Sequence, residues 1–393
     1  MSSIVSIRAC ASYDPALVSE AVASALGALE AAFAFPNVKG KIVLLKPNML
    51  IAVDKERAVS THPEILRAAI REFKKRGAEV WVGESPAVHG SLFAAKKCGL
   101  LPVSEAEGAR WVDFTETVMV ENPQGVLVKR FELAKAAVDA DVVVSLPKLK
   151  THQLMYFTGA MKNLFGCVSG LQKAAYHFRY PERKDFGTMI TDLCLALKPA
   201  FSLMDAVVAM EGKGPGNGDP RKLGLIMASS DILALDWAAS SIIGYNPAHI
   251  PNQADALTRG PWLRDPSDLT IDGPALKDLA VHDFKRVHEV GDVGIVRKLL
   301  PPLVYRYIQN ILTPRPLFRD DRCLRCGECI TLCPAKVLSF VPARAGTWGR
   351  QGSPAGLSAE KAAKRVSIDY GACLRCYCCH EVCPADAITL RRG

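Results

Sequence analysis

Two cysteine runs, fifty residues apart, constrain this chain more than any other feature. They read Cys323-x2-Cys326-x2-Cys329-x3-Cys333-Pro334 and Cys373-x2-Cys376-x2-Cys379-x3-Cys383-Pro384. Three thiols in such close step lie on a loop that can wrap one face of an iron-sulfur cube, and the fourth leaves on the next turn. Zinc closes with four ligands, usually from two Cys-x2-Cys pairs, and has no use for a third cysteine followed by Cys-Pro. Disulfides need an oxidising compartment, and Met1 to Cys10 lacks the basic stretch and apolar run of a secretory signal. The expectation is two 4Fe-4S clusters on eight cysteines, with Cys378 a spare thiol between two ligands. The arm from Pro334 to Ala372, with Gly346, Gly349, Gly352, Pro354 and Gly356 among Arg344, Arg350, Lys361, Lys364 and Arg365, reads as a basic surface loop.

Outside the cysteine runs the composition is that of a folded domain with a sizeable core, 49% hydrophobic and 23% charged over 393 residues. The formal charge of +9 is spread among acids, without the basic stripe and interleaved aromatics of a nucleic-acid site. Anionic substrates, cofactor phosphates or an acidic redox partner protein account for the excess. The apolar stretch Leu299 to Leu312 is broken by Pro301-Pro302 and Arg306, and is shorter than the roughly 20 residues that span a bilayer. No integral membrane segment and a cytoplasmic location are expected. That stretch belongs to a helical linker, residues 293–316, between an α/β domain, 1–292, and a cluster domain, 317–393.

The α/β assignment comes from alternating patterns. Ile4 to Ala9 and Lys41 to Leu45 read as strands, Pro15 to Phe33 as a helix, and His62 to Arg76 as a helix closed by Gly77. Glu79 to Val82 is a strand, the segment Trp111 to Lys129 a pair of short antiparallel strands around Asn122-Pro123-Gln124-Gly125, and Glu132 to Val138 a helix. Asp141 to Leu146 is apolar on both faces, as a central parallel strand is. Asp185 to Leu197 and Ile232 to Ile243 are helical, Phe201 to Met210 and Leu223 to Ala228 are strands, and Asn246 to Asp292 shows no clear pattern. The fold class is an open, mostly parallel α/β sheet domain with a C-terminal α+β two-cluster domain.

Polar motifs fall at strand ends, where open α/β sheets bind ligands. The richest is Pro147-Lys148-Leu149-Lys150-Thr151-His152, followed by Gly159-Ala160-Met161-Lys162-Asn163-Leu164-Phe165-Gly166 and Tyr176-His177 in one long connection. Lysines clamp anions or act as amines with shifted pKa, and histidines bind metals or carry protons; the bland alternative is a solvated basic loop. Lys46-Pro47-Asn48 and Gly83-Glu84-Ser85 are shorter signals, Glu84 being a carboxylate at a strand end. In Thr61-His62-Pro63, Thr61 is the expected helix cap. The Gly212 to Gly218 loop lets backbone approach a ligand, as a cover or phosphate cradle, or is a flexible turn.

Together, Lys46-Pro-Asn, Thr61-His-Pro, Gly83-Glu-Ser, Pro147-Lys-Leu-Lys-Thr-His, Met161-Lys-Asn-Leu-Phe-Gly and the Gly212 to Gly218 loop resemble the domain-of-unknown-function family 362, whose members often carry a C-terminal ferredoxin module. The cysteine runs resemble those of bacterial two-cluster ferredoxins, in which the fourth cysteine of each run ligates the other cluster. That implies Cys323, Cys326, Cys329 and Cys383 for one centre, and Cys373, Cys376, Cys379 and Cys333 for the other. The order His152, Lys162, His177 is similar to the nickel-pincer lactate racemase family, where such a lysine tethers a nickel cofactor and histidines ligate nickel or exchange the substrate proton. Where that family has a further histidine, this chain has Gly83-Glu84-Ser85.

The reading is an oxidoreductase relaying electrons through two 4Fe-4S clusters to an anionic small molecule, or to an additional small-molecule or metal cofactor, at the strand ends. Lys46, Asn48, Lys148, Lys150, Asn163, Gly214 and Gly216 hold that group; Lys162, His152, His177 and Glu84 are the catalytic candidates. The alternatives are an electron-transfer or activating protein for a partner metalloenzyme, and a redox-neutral racemase or isomerase.

Overall fold

The two strands at the middle of the chain's sheet, β2 (Ile42–Pro47) and β7 (Val142–Leu146), explain why it is covered on both sides. Successive side chains of a strand point to opposite faces. Accordingly Val43, Leu45, Val142 and Val144 join one buried core, while Leu44 and Val143 join the other. This is a computed structural model, which describes residues 3–170, 172–288, 300–301, 304, 313–343 and 358–392.

The remaining strands of the sheet are β1 (Ser3–Ala9), β3 (Glu79–Gly83), β4 (Arg110–Val112), β8 (Lys148–His152), β9 (Tyr156–Thr158), β10 (Phe201–Glu211), β11 (Asp219–Ser229) and β12 (Leu269–Asp272). Their order is β12-β1-β11-β10-β7-β2-β3-β4, with β8 continuing beside β10 and carrying β9. Pairing is parallel from β10 through β7, β2 and β3 to β4, and antiparallel where β11 meets β1 and β10. Helices Pro15–Ala31, Pro63–Lys75, Arg183–Leu197 and Ile232–Ile242 pack on the faces and close both cores.

Several local expectations change. The helix expected from Glu132 begins later, at Lys135–Asp139, because Phe131 and Leu133 are buried in strand β6 (Arg130–Ala134), which pairs with β5 (Thr117–Glu121). His62, not Thr61, caps the helix that Pro63 begins, its ring accepting from Glu64 N; Thr61 Oγ1 instead donates to Leu146 O at 2.6 Å. The patternless stretch after Asn246 contains helix Pro251–Arg259 and β12, an edge strand parallel to β1. The Lys148–His152 motif is no solvated loop: all five residues are buried. Leu299 to Leu312 lies largely, and Arg344 and Arg350 entirely, outside the described residues.

The C-terminal region is α+β. Strand β13 (Arg315–Phe318) pairs antiparallel with β16 (Ile388–Arg391), and β14 (Leu338–Pro342) with β15 (Lys364–Ile368). Each cysteine run ends in one helical turn, Glu328–Thr331 or Cys378–Glu381. The left-handed residues recur at the same offset as the cysteines: Arg325 and Arg375, Gly327 and Tyr377, Lys336 and Asp386. The two runs are therefore one backbone motif used twice. An apolar seam fastens this region to the α/β sheet: Ile51, Val53, Val59 and Met210 from one side pack with Leu332, Cys376, Cys378 and Val382 from the other.

Candidate functional site

At the carboxyl end of β2, Lys46 is fully buried on the Leu44 face. Its ammonium forms an ion pair with Glu84 just past β3, and donates to Pro47 O at 3.0 Å and Asn163 Oδ1 at 3.2 Å. Asn163 returns hydrogen bonds to Lys46 O and Ser145 Oγ, both at 3.0 Å. Asn48 Nδ2 donates to the same Asn163 oxygen at 3.1 Å, while its Oδ1 accepts from Lys150 Nζ at 2.8 Å. Buried polar groups demand partners, and this chain of bonds supplies them across four separate segments.

Glycines make the contacts possible. A Cβ on Gly166 would sit 1.9 Å from Glu84 Oε1, and one on Gly159 would sit 2.1 Å from Asp236 Oδ1. Asp236 accepts from Ala160 N at 2.6 Å and Met161 N at 3.0 Å, fixing the short helix Ala160–Asn163 that carries Lys162. Burial pushes the Asp236 carboxyl up to about 7.

Beside these groups lies a polar cavity lined by Asn48, Glu84, Lys150, His152, Lys162 and Asn163, and also by Ser85, Phe165, Lys173, Pro215 and Glu381. Lys162 opens onto it, its ammonium 5.5 Å from the centre of the Phe165 ring and 5.8 Å from that of Phe186. Cation–π contact of this kind stabilises an ammonium, yet burial still lowers the pKa of Lys162 from its ordinary value, with Glu381 opposing. His152 Nδ1 accepts from the backbone N–H groups of Leu154 and Met155, so the neutral ring carries its proton on Nε2. That nitrogen stands 3.3 Å from Glu381 Oε1, out of hydrogen-bond alignment. Burial, then the Lys162 charge, holds His152 well below its ordinary value.

Seven expected residues therefore converge: Lys46, Asn48, Glu84, Lys150, His152, Lys162 and Asn163. Lys148 does not join them. It is paired with Asp205 at 2.9 Å and donates to Tyr13 Oη at 2.6 Å, away from the cavity. His177 lies behind the lining, stacked on Phe186 at 4.4 Å, with burial and Lys162 lowering it to about 3. Gly214 and Gly216 are packing positions: their Cβ atoms would sit 2.2 Å from Thr151 O and from Glu381 O. Lys173 and Glu381 are the residues that the sequence reading missed. Lys173 follows the glycine-rich connection and donates to Ser85 O and Oγ at 2.5 and 2.9 Å. Glu381 sits between two cysteines of the second run, where nothing local marks it as part of a distant cavity.

Two further cavities lie in the C-terminal region. One is ringed by Cys323, Cys326, Cys329 and Cys383 among Phe318, Val366 and Ile388. The other is ringed by Cys333, Cys373, Cys376 and Cys379 among Pro316, Leu338 and Ile368. Among the described residues no three potential ligands close around a single point as one metal ion requires. Four thiols ringed by apolar side chains supply the soft ligand set of an iron-sulfur cube.

Two thiol quartets beside an α/β sheet domain, with Glu381 of the second run reaching the cavity at the strand ends, define a ferredoxin-type iron-sulfur protein. The chain belongs to the family described as domain of unknown function (DUF362), matched over residues 43–241, and residues 315–386 match a 4Fe-4S dicluster domain. It is 34% identical to a thylakoid-associated protein of Synechocystis sp., over 71% of this chain and 87% of that one. Among solved structures it is similar to the lactate racemase apoprotein from Thermoanaerobacterium thermosaccharolyticum, with 17% identity, a TM-score of 0.37, and coverage of 58% of this chain and 54% of that one. A protein from Thermotoga maritima is similar at 14% identity and a TM-score of 0.32, with 53% of each chain covered. The chain thus spans about half the length of the solved structures it matches. Among the described residues, no helix is long and apolar enough to cross a membrane.

Proposed function

We propose that this protein is an iron-sulfur oxidoreductase that passes single electrons between a redox partner protein and an anionic substrate or cofactor held in the strand-end cavity. One observation carries the reading. Glu381 belongs to the second cysteine run, yet it lines the cavity and faces His152. An electron carrier that served only external partners would gain nothing from having its cluster loop form the wall of a lysine-lined site.

In this reading Cys323, Cys326, Cys329 and Cys383 hold one 4Fe-4S centre, and Cys333, Cys373, Cys376 and Cys379 the other, as the two thiol-ringed cavities suggest. When bound, such clusters supply electrons one at a time. The partner meets the first run, where Leu324 and Cys326 are exposed, while Cys376 and Cys378 of the second are buried in the seam. Lys150, Lys162 and Lys173 hold the anion. His152 presents an Nε2 proton toward the same space, and Glu84, tied to Lys46 and Ser85 N, keeps the floor in place.

Chemically reduced protein, prepared anaerobically, gives the test. The small-molecule fraction released by heat from wild-type protein is added back, and cluster absorbance is followed. Reoxidation is expected for wild type and not for Lys162→Met with the same iron content. A variant reoxidised at the wild-type rate, or a wild type that never responds, removes the reading.

A further inference from the structure

The charges around the cavity do not balance. Lys150, Lys162 and Lys173 line it, with Lys46 behind Glu84, and among the described residues Glu84 and Glu381 are the carboxylates of its lining. Glu84 is committed to Lys46. Lys150 donates to neutral oxygens, Asn48 Oδ1 at 2.8 Å and Val59 O at 2.7 Å. Lys173 likewise meets Ser85 O and Oγ, with Pro86 O more distant at 3.5 Å. Lys162 has only the two aromatic rings and no hydrogen-bond acceptor among the described residues. Three ammoniums on three different elements are left with one carboxylate, Glu381.

We infer that the cavity is built for a small doubly charged oxyanion, a short dicarboxylate or a phosphate-bearing molecule, whose two charges balance Lys150, Lys162 and Lys173 against Glu381. This rests on the reading that the cavity is the substrate site, and it names the substrate class. A monoanion leaves one buried ammonium uncompensated, and buried charge without a partner is costly. The chain's own response to the imbalance agrees. Burial, with Lys162 and Lys148 adding to it against Glu381 and Glu84, lowers Lys150 to about 7. Burial also lowers Lys173 to about 8, with Lys46 and Lys162 pressing the same way and Glu84 and Cys167 opposing. An arriving dianion restores both ammoniums, so binding takes up protons.

Isothermal titration of the anaerobic, cluster-loaded full chain at about pH 8, in two buffers of different ionisation enthalpy, tests this with succinate, inorganic phosphate and acetate. Succinate or phosphate is expected to bind at least about tenfold tighter than acetate, with net proton uptake, and the winner tells which of the two chemistries the site takes. Lys162→Met and Lys173→Met should each weaken that binding roughly tenfold or more while iron content is kept. Acetate binding as tightly as both dianions overturns the inference on wild-type protein alone, however the variants fold. So do folded lysine variants that bind as well as wild type. Absence of any binding, with Lys162→Met shifting the reduction potential of the ligand-free clusters, would mean that the lysines balance the cluster charge instead. A dianion that binds selectively but never reoxidises the reduced protein leaves this inference standing and removes the oxidoreductase reading.

Discussion

Replacing Gly216 with alanine should loosen the cluster module from the sheet domain without unfolding either. The added Cβ would lie 2.2 Å from Glu381 O and 3.3 Å from Glu381 C. Both are main-chain atoms, which no rotamer change can move aside. Restoring ordinary contact needs a shift of about 1 Å or more in the helical turn Cys378–Glu381. That shift strains the Asn217 Nδ2 to His380 O hydrogen bond, 2.9 Å long and buried, and moves Glu381 away from the cavity. Overpacking costs about 1–3 kcal/mol and a weakened buried hydrogen bond about 1 kcal/mol. The Lys213–Asp386 ion pair across the same seam is solvent-exposed on the lysine side and adds little. The sum, about 2–4 kcal/mol, favours local opening of the seam by roughly 30- to 1,000-fold.

Hydrogen exchange of the cluster-loaded protein reads this directly. Peptides covering residues 376–383 should exchange faster in Gly216→Ala, while those of β2 and β7 are unchanged. Gly27→Ala serves as the control, since a Cβ there meets nothing within 4 Å. Exchange at 376–383 that matches wild type, together with unaltered anion affinity, would show that the module does not sit on the Gly212 to Gly218 loop in this way.

Asp205→Ala should cost about 3–5 kcal/mol in anaerobic chemical denaturation, because the buried Lys148 ammonium loses its partner and Tyr13 and His62 N lose their acceptor; a loss near zero would place the Lys148 charge in solvent. Cys333→Ala should reduce iron from about eight to about four per chain and remove the spectroscopic signal of the centre at Cys373, Cys376 and Cys379, whose cavity it borders; loss of the other centre instead would overturn the crossed assignment. Lys150 and Lys173 stand at about 7 and about 8 when folded, against 10.5 for an ordinary lysine, so over that interval the unfolded chain binds more protons and stability rises with pH. Denaturation of ligand-free protein at a series of pH values should show a steeper rise between about pH 7 and 10 for wild type than for Lys150→Met, and equal slopes would refute the depressed ammonium.

What was legible in the sequence is what spacing and periodicity encode. Cysteine intervals fix which three thiols can share one loop; the exchange of the fourth between runs came from the resemblance to two-cluster ferredoxins, and quartets of that composition ring two cavities. Apolar runs such as Val142 to Leu146 identify strands buried on both faces, and glycine-punctuated polar motifs after them locate the edge of the sheet where the cavity lies. Seven of the polar candidates meet there because strand ends converge whatever the loop details.

Tertiary structure decided how each charge is used. Lys148 and Lys150 stand two residues apart on one strand, and by periodicity they are equivalent. Only β10, arriving 57 residues later with Asp205, pairs off the first and leaves the second for the cavity. Likewise the glycines at 214 and 216 read as ligand-facing until Thr151 and the Glu381 backbone are seen against them. Glu381 itself reaches the site by docking of a separate folded region. The physical reason is common to all three: ionisation and close packing depend on which atoms lie within a few ångströms, and the neighbours that matter come from remote segments that no local pattern can name.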